Sequence, residues 1–128
     1  MANGTIAFDT LSTSGQITGT AKSLDTDYVA TGSAKAWLKT VEGASPSDSL
    51  NVSGVTDSST GNYLIAINND MSNAHYSVVV SKIAAGSARD VNLGSDPVPT
   101  ASAFEIFSTA ASSTEDQTCY ATVHGDLA

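Results

Sequence analysis

The sequence predicts an all-β protein, an antiparallel β-sandwich or jelly-roll-like single domain with an extended N-terminal arm. Ser and Thr together supply 34 of the 128 residues, whereas charged residues make up only 14%, against ~25% in a usual globular chain. Short β-type runs recur every ~8–15 residues with turn residues between them, a pattern typical of sandwiches and barrels. Nowhere does a long segment keep the 3.6-residue apolar period of an amphipathic helix.

The first 32 residues are predicted to be an arm for assembly, made of extended chain or short strands, and residues 33–128 the sandwich domain. Four large apolar side chains are scattered among Ser, Thr and Gly near the start: Ile6, Phe8, Leu11 and Ile17. Such a segment cannot bury enough surface to offset the entropy lost on ordering. We therefore expect it to add strands to a neighbouring subunit or to a particle. The alternative is that it supplies edge strands to its own sandwich.

The first strong strand signal is the run 34–39. Alternation along a strand places Lys35, Trp37 and Lys39 on one face and Leu38 with the alanines on the other. Two lysines beside a tryptophan indicate a partly exposed face, on which the lysine stems can cover the ring. These three residues are the candidate surface or interface contact.

Two further runs predict a hairpin. Residues 49–55 read as a short strand whose inward side chains are Leu50, Val52 and Val55. Turn formers at 57–62 lead into the apolar run 63–67, and two β-type runs joined by turn residues containing Gly are typical of a hairpin. In the second strand, the side chains expected to point into the core are Tyr63, Ile65 and Ile67.

The remaining strands are predicted at residues 75–80, 104–107 and 119–123. The segment 84–100 reads as a loop, because Pro97 and Pro99 exclude a central strand there. Residues 110–116 are a polar turn. In the final strand, Cys119, Ala121 and Val123 are expected to share the core face.

The charge of the chain restricts its partners. Thirteen carboxylates against five basic residues give a formal net charge of −8, which repels phosphate backbones and anionic membrane surfaces. Nucleic acid and membranes are therefore not expected as partners. The start shows no signal-peptide pattern and no apolar run reaches the ~18 residues of a membrane span. We expect synthesis in a cytoplasm and function in solution or on an assembly.

The sequence shows no catalytic or cofactor motif, so we predict that the protein is not an enzyme and holds no cofactor or metal. Phosphate-binding glycine loops, zinc-binding His pairs and nucleophile elbows are absent. His75 and His124 read as strand-end residues, and Cys119 as a small buried hydrophobic residue. The acidic pairs at 25–27 and 115–116 depart from the calcium-loop pattern and read as turns, although calcium binding there stays open.

Several segments, read in order, resemble a β domain that recurs in tail-fibre and related structural proteins of tailed bacteriophages. The resemblance rests on Ala34-Lys35-Ala36-Trp37, the block 49–63, the turn and Val-rich strand 71–79, the Gly-capped strand 119–125 and the lead-in 4–10. It covers about three quarters of the chain. The matched positions differ from the family pattern at Ser72, where a proline is usual, and at Glu105, where a basic residue is usual.

This resemblance implies a virion structural protein exposed on the particle, made in the host cytoplasm. A tail-fibre knob, a capsid decoration and a head fibre all fit, with host attachment or particle reinforcement as the role. The implied partners are further copies of the chain in a homotrimer and other tail or capsid proteins, with a host-surface glycan as a further candidate. The alternative function is a carbohydrate-binding β-sandwich module, in which exposed Trp37 and Tyr63 would stack on sugars.

Overall fold

A four-stranded and a five-stranded antiparallel sheet form the body of the protein. The structure is a computed structural model that describes residues 16–18, 23–42, 45–83, 89–95, 99–111 and 113–128. Its elements are β1 (Gln16–Thr18), β2 (Ser23–Asp25), α1 (Thr26–Gly32), β3 (Ala34–Thr40), β4 (Pro46–Leu50), β5 (Val52–Ser59), β6 (Asn62–Ile67), β7 (Ser77–Lys82), β8 (Arg89–Leu93), β9 (Ala103–Ala110), β10 (Ser113–Thr114) and β11 (Cys119–His124). The predicted all-β sandwich is confirmed.

Sheet I has the strand order β4-β3-β11-β7, and sheet II has the order β8-β9-β6-β5, with the short β10 pairing with the end of β9. Hairpins join β3 to β4, β5 to β6 and β8 to β9. The chain crosses between the sheets four times, from β4 to β5, from β6 to β7, from β7 to β8 and from β10 to β11. The crossings from β4 to β5 and from β7 to β8 connect edge strands, so the two sheets are linked along both sides of the sandwich.

The core lies between the sheets and follows strand alternation. Both sheets contribute buried, inward-facing side chains. Those of sheet I are Ala36, Leu38, Cys119, Ala121 and Val123, and those of sheet II are Tyr63, Ile65, Ile67, Phe104 and Ile106. The inward faces predicted for the strands at 63–67 and 119–123 are confirmed. The predicted hairpin of β5 and β6 is confirmed as well, with Val55 paired to Ile65.

The prediction of one continuous strand at 49–55 is wrong, because the chain leaves sheet I and enters sheet II at Asn51. Asn51 has a φ of 56°, a left-handed conformation that Asn tolerates better than most residues. Its Oδ1 accepts a hydrogen bond of 2.7 Å from the Asn69 amide, and its Nδ2 donates one of 3.0 Å to the Lys35 carbonyl. Leu50 therefore ends a sheet I strand and faces outward, 48% exposed, whereas Val52 packs on the core as expected.

The prediction of a loop over 84–100 is also wrong in part, because strand β8 lies within it. Arg89–Leu93 pairs with residues 106–110 of β9. Within β8, Val91 packs against the core, and Leu93 is the only other apolar residue of the strand. Two apolar residues separated by Asn92 give little sequence signal. Pro97 lies outside the described residues.

The arm prediction falls mostly on residues 1–15 and 19–22, which lie outside the described residues. In the part that the structure describes, β1 and β2 pair antiparallel with each other. The seven-residue helix α1 was not predicted, since a segment of two turns is too short to show a helical period. It ends beside sheet I, where the Gly32 carbonyl lies 3.0 Å from Nδ1 of His124.

Candidate functional site

The candidate site is the outer face of sheet I, beginning with its central strand β3. Ala36 and Leu38 point into the core, and Trp37 between them points outward with 36% of its surface exposed. Lys35 and Lys39 share the outward direction of Trp37 because they lie two residues on either side of it. The face predicted for these three residues is thus the one that the strand presents to solvent.

Trp37 is part of an exposed row that crosses all four strands of sheet I. Trp37 pairs with Leu50 on β4 and with Thr122 on β11, and Thr122 pairs with Val79 on β7. Directly opposite residues of an antiparallel sheet have neighbouring side chains on one face. We call Leu50, Trp37, Thr122 and Val79 the apolar row. Leu50 and Val79 are 48% and 61% exposed, so both ends of the row are open to solvent.

A second, polar row runs beside the apolar row. Its members are Asp48, Lys39, Tyr120 and Ser81, paired in that order across the same strands. The Lys39 ammonium lies 5.9 Å from the centroid of the Tyr120 ring, a distance at which a cation is attracted to the ring face.

The lysine ammonium groups are held away from Trp37. Lys39 lies over Tyr120, and the Lys35 ammonium donates hydrogen bonds to the Ala30 carbonyl and, at 2.7 Å, to Ser33 Oγ. The ammonium groups therefore border the apolar row and do not cap it. This arrangement offers a partner an apolar strip with cations at its margin, which suits binding by non-covalent contact.

Tyr63 does not form the sugar-stacking platform that was expected in the carbohydrate-binding alternative. Its ring is fully buried in the core, and its hydroxyl accepts a hydrogen bond of 3.0 Å from the Gln117 amide. Burial raises the pKa of Tyr63 to about 12, because desolvation disfavours the phenolate. Its role is structural, and sequence alternation alone had already placed it inward.

The other chemistry-bearing residues are also held in structural contacts. Cys119 is buried and its amide donates a hydrogen bond of 2.9 Å to Thr40 Oγ1; desolvation by burial raises the pKa of its thiol. Asp116 accepts a 2.7 Å hydrogen bond from the Gly61 amide and so fixes the β5–β6 turn. His75 precedes β7 and His124 ends β11, at the strand ends where they were expected.

Among the described residues, no group of three or more His, Cys, Asp or Glu side chains is arranged to hold a metal ion. The side chains of Asp25 and Asp27 lie outside the part of the chain that the structure describes, so calcium binding by that pair stays a prediction. No helix within the described ranges is long and apolar enough to cross a membrane.

The sequence identified the centre of this surface but missed its neighbours. Leu50 was assigned to the core, and Val79 and Thr122 were not singled out, because the register that aligns β4, β3, β11 and β7 joins distant parts of the chain. A signal was available in 78–80, where three consecutive valines require at least one to face away from the core. No protein-family model matches the chain, and neither a curated protein nor a solved structure matches it significantly.

Proposed function

We propose that this chain is a non-enzymatic structural protein of a bacteriophage virion, exposed on the particle and acting through contacts between subunits. The observation that carries the proposal is the apolar row on the outer face of sheet I. The assignment to a virion rests on the resemblance of the sequence to tail-fibre domains. On the particle, the chain would be a tail-fibre knob, a capsid decoration protein or a head fibre.

The apolar row supports a protein contact because three of its four members, Leu50, Trp37 and Val79, are exposed apolar residues, with Thr122 between Trp37 and Val79. Single exposed apolar residues are ordinary on a protein surface, whereas contiguous apolar patches bordered by polar residues mark interaction sites. Trp37 lies inside the row, between Leu50 and Thr122. Tryptophans in the centre of an interface, screened from water by their neighbours, are among the residues that contribute most to binding.

The occupant that we assign to this surface is a second copy of the same chain. Lys35 and Lys39, two of the five basic residues of a chain with net charge −8, border the row. A basic margin on an acidic protein is complementary to the rest of that protein's own surface. Contacts between unlike patches of identical subunits form a ring when the rotation between neighbours closes, and the resemblance implies a ring of three subunits.

The oligomeric state tests this contact. We expect the purified chain to sediment as a trimer, and Trp37→Ser and Val79→Ser to shift it toward the monomer at equal concentration. Leu93→Ser is the matched control, since Leu93 is a similarly exposed apolar residue on β8 of sheet II. A monomeric wild type, or an unchanged trimer in both row variants, would contradict the contact. Absence of the chain from purified particles would contradict the virion role.

The arm at residues 1–32 is proposed to help assembly. The described part of the arm supports this because β1 and β2 pair with each other and not with a sandwich strand. Deletion of residues 1–30 is expected to leave a domain that still unfolds cooperatively but no longer trimerises or joins particles. Loss of folding in the truncated chain would show instead that the arm belongs to the domain core.

A further inference from the structure

Strand β7 is an edge strand of sheet I, and one of its two sides faces no other strand in the described part of the chain. Its six residues, Ser77–Lys82, pair with β11 in an unbroken register, and β11 is its neighbour on that side alone. On the free side of an edge strand, alternate residues point their backbone N–H and C=O groups away from the sheet. These groups can pair with an added strand.

The other edge strands of the described sandwich carry features that oppose strand addition. β4 begins with Pro46, and its pairing with β3 shifts register beside Thr40. The pairing of β5 with β6 contains two register shifts, β8 carries Arg89 and Asp90 within its five residues, and β10 is only two residues long. Prolines, bulges, charges and short length are the means by which natural edge strands avoid pairing with another chain.

β7 has none of these features. It contains no proline, and its single charged residue is Lys82. The Lys82 ammonium points into the sandwich, where it donates hydrogen bonds to the Thr109 carbonyl and, at 3.5 Å, to Ser108 Oγ on the opposite sheet. The charge is therefore held away from the free edge. The valines at 78–80 have high β propensity, so β7 is the edge best suited to receive a strand.

Apolar side chains on β7 also lack full cover. Val78 and Val80 pack against the core but stay half-buried. On the outer side, Val79 is 61% exposed, and Ile83, which directly follows the strand, is 56% exposed. A strand added beside β7 would cover part of this apolar surface as well as the backbone groups.

Residues 4–11 of the arm have the pattern of such a strand. The segment reads Gly-Thr-Ile-Ala-Phe-Asp-Thr-Leu, without proline and without a basic residue. Alternation puts Ile6 and Phe8 on one face and Ala7 on the other. Eight extended residues span about 26 Å, enough to run along the about 20 Å of a six-residue strand. The described part of the arm does not fill the place beside β7, because β1 and β2 pair only with each other.

We propose that the free edge of β7 receives residues 4–11 of the arm of a second copy of this chain as an added strand. Backbone hydrogen bonds hold the strand, and its alternate side chains give the contact its register. Ile6 and Phe8 face inward beside Val78 and Val80, and Ala7 faces outward on the side of Ser81. The inference rests on the proposed assembly role of the arm and adds the surface to which the arm binds.

Cross-linking between full-length chains tests the contact. One chain carries Ala7→Cys and the other carries Ser81→Cys, and a short bifunctional maleimide is added to the equimolar mixture. The native Cys119 is buried, so the introduced thiols are the ones that react in the folded chain. We expect a product that contains one chain of each kind. The matched control replaces Ser81→Cys by Ser58→Cys on the β5 edge, whose side chain is also exposed, and should give no such product.

The outcomes separate this inference from the proposed function. A chain that sediments as a trimer but gives no product at Ser81, or gives as much product at Ser58, would overturn the inference and leave the subunit contact standing. A chain carrying both Ala7→Cys and Ser81→Cys that links only within itself would also overturn it. Abundant product at Ser81 together with a trimer unchanged by Trp37→Ser would support the inference and contradict the apolar row as the contact.

An arm variant tests the inward face of the added strand. Phe8→Ser should weaken association of the chains about tenfold or more, because it removes an apolar ring from the contact. Thr5→Ser, on the opposite face of the segment, is the matched control and should associate as wild type does. Equal association of wild type and Phe8→Ser would overturn the assignment of Phe8 to the core side of β7.

Discussion

The two faces of sheet I both carry apolar side chains and use them differently. On β3, Leu38 is buried in the core while its neighbour Trp37 is 36% exposed, and on β7 Val80 packs on the core while Val79 is open to solvent. Hydrophobic character therefore does not decide which face of a strand becomes the core. The inner set stabilises the fold, and the outer set remains available for a partner.

Sheet II shows the other way in which an outer face can be used. Its outward positions on β6 and β9 hold Asn62, Glu105 and Phe107, which surround a pocket and form no apolar row. One sheet of the sandwich therefore offers a flat contact strip and the other a concave polar site. The difference separates a surface suited to another protein from one suited to a small ligand.

The largest expected effect sharpens the contrast between inner and outer side chains. Ile65→Ala should lower the free energy of unfolding by about 2–5 kcal/mol, because it removes buried methyl groups and leaves a cavity. Val79→Ala, an outward change, should alter it by about 0.5 kcal/mol or less. Urea unfolding below the oligomerisation concentration measures both. Similar losses in the two variants would contradict the assignment of faces.

A smaller effect is expected where the core contains a titratable group. Tyr63→Phe removes the acceptor for the Gln117 amide and should destabilise the fold by about 1 kcal/mol. The folded-state pKa of Tyr63 is about 12, above the ~10 of an unfolded tyrosine. Its contribution to stability is therefore complete below pH 10 and is lost as pH rises through 12.

Burial also raises the pKa of Tyr76, so this residue adds to the same alkaline loss of stability. Tyr63→Phe should make the decline above pH 10 shallower without abolishing it. Tyr120→Phe, on the outer face of sheet I, is the matched control for removal of a hydroxyl. A decline equally steep in wild type and Tyr63→Phe would show that the phenol of Tyr63 is not buried as described.

A modest loss of stability is expected on the exposed polar row. Lys39→Ala removes the ammonium above the Tyr120 ring, and a cation–π contact at an exposed site contributes about 0.5–1 kcal/mol. Lys39→Arg keeps a cation over the ring and should retain most of that stability. An arginine variant as unstable as the alanine variant would mean that the lysine stem, and not its charge, makes the contribution.

Strands with strong alternation could be predicted from the sequence, and strands bounded by unusual backbone could not. The pattern of Tyr63, Ile65 and Ile67 fixed both the strand and its inward face. The change of sheet at Asn51 could not be predicted from the sequence, because the left-handed φ of Asn51 depends on hydrogen bonds to Lys35 and Asn69, which are remote in sequence. Strand β8 was missed because its only apolar residues are Val91 and Leu93, too few to show a clear alternation.

The candidate site, like the fold, could be predicted only where the inference depends on neighbouring residues in the sequence. Local alternation put Trp37 on an exposed face, since that inference needs only its immediate neighbours. The apolar row requires the alignment of Trp37 with Leu50 and of Thr122 with Val79, which depends on strand register across the whole domain. The pocket on sheet II needs the contact of Gly94 with Glu105, which no periodicity indicates.

The central position of β11 in sheet I has a consequence for synthesis. Ala34 on β3 pairs with His124 on β11, and β7 has only β11 as its neighbour in sheet I. While the ribosome is still making β11, β3 has β4 alone beside it, and β7 has no strand to join within that sheet. Contacts so distant in sequence form slowly. The nascent chain therefore completes its sandwich after translation of β11, and a ribosome that stalls before that point leaves two strands with unpaired edges open to aggregation.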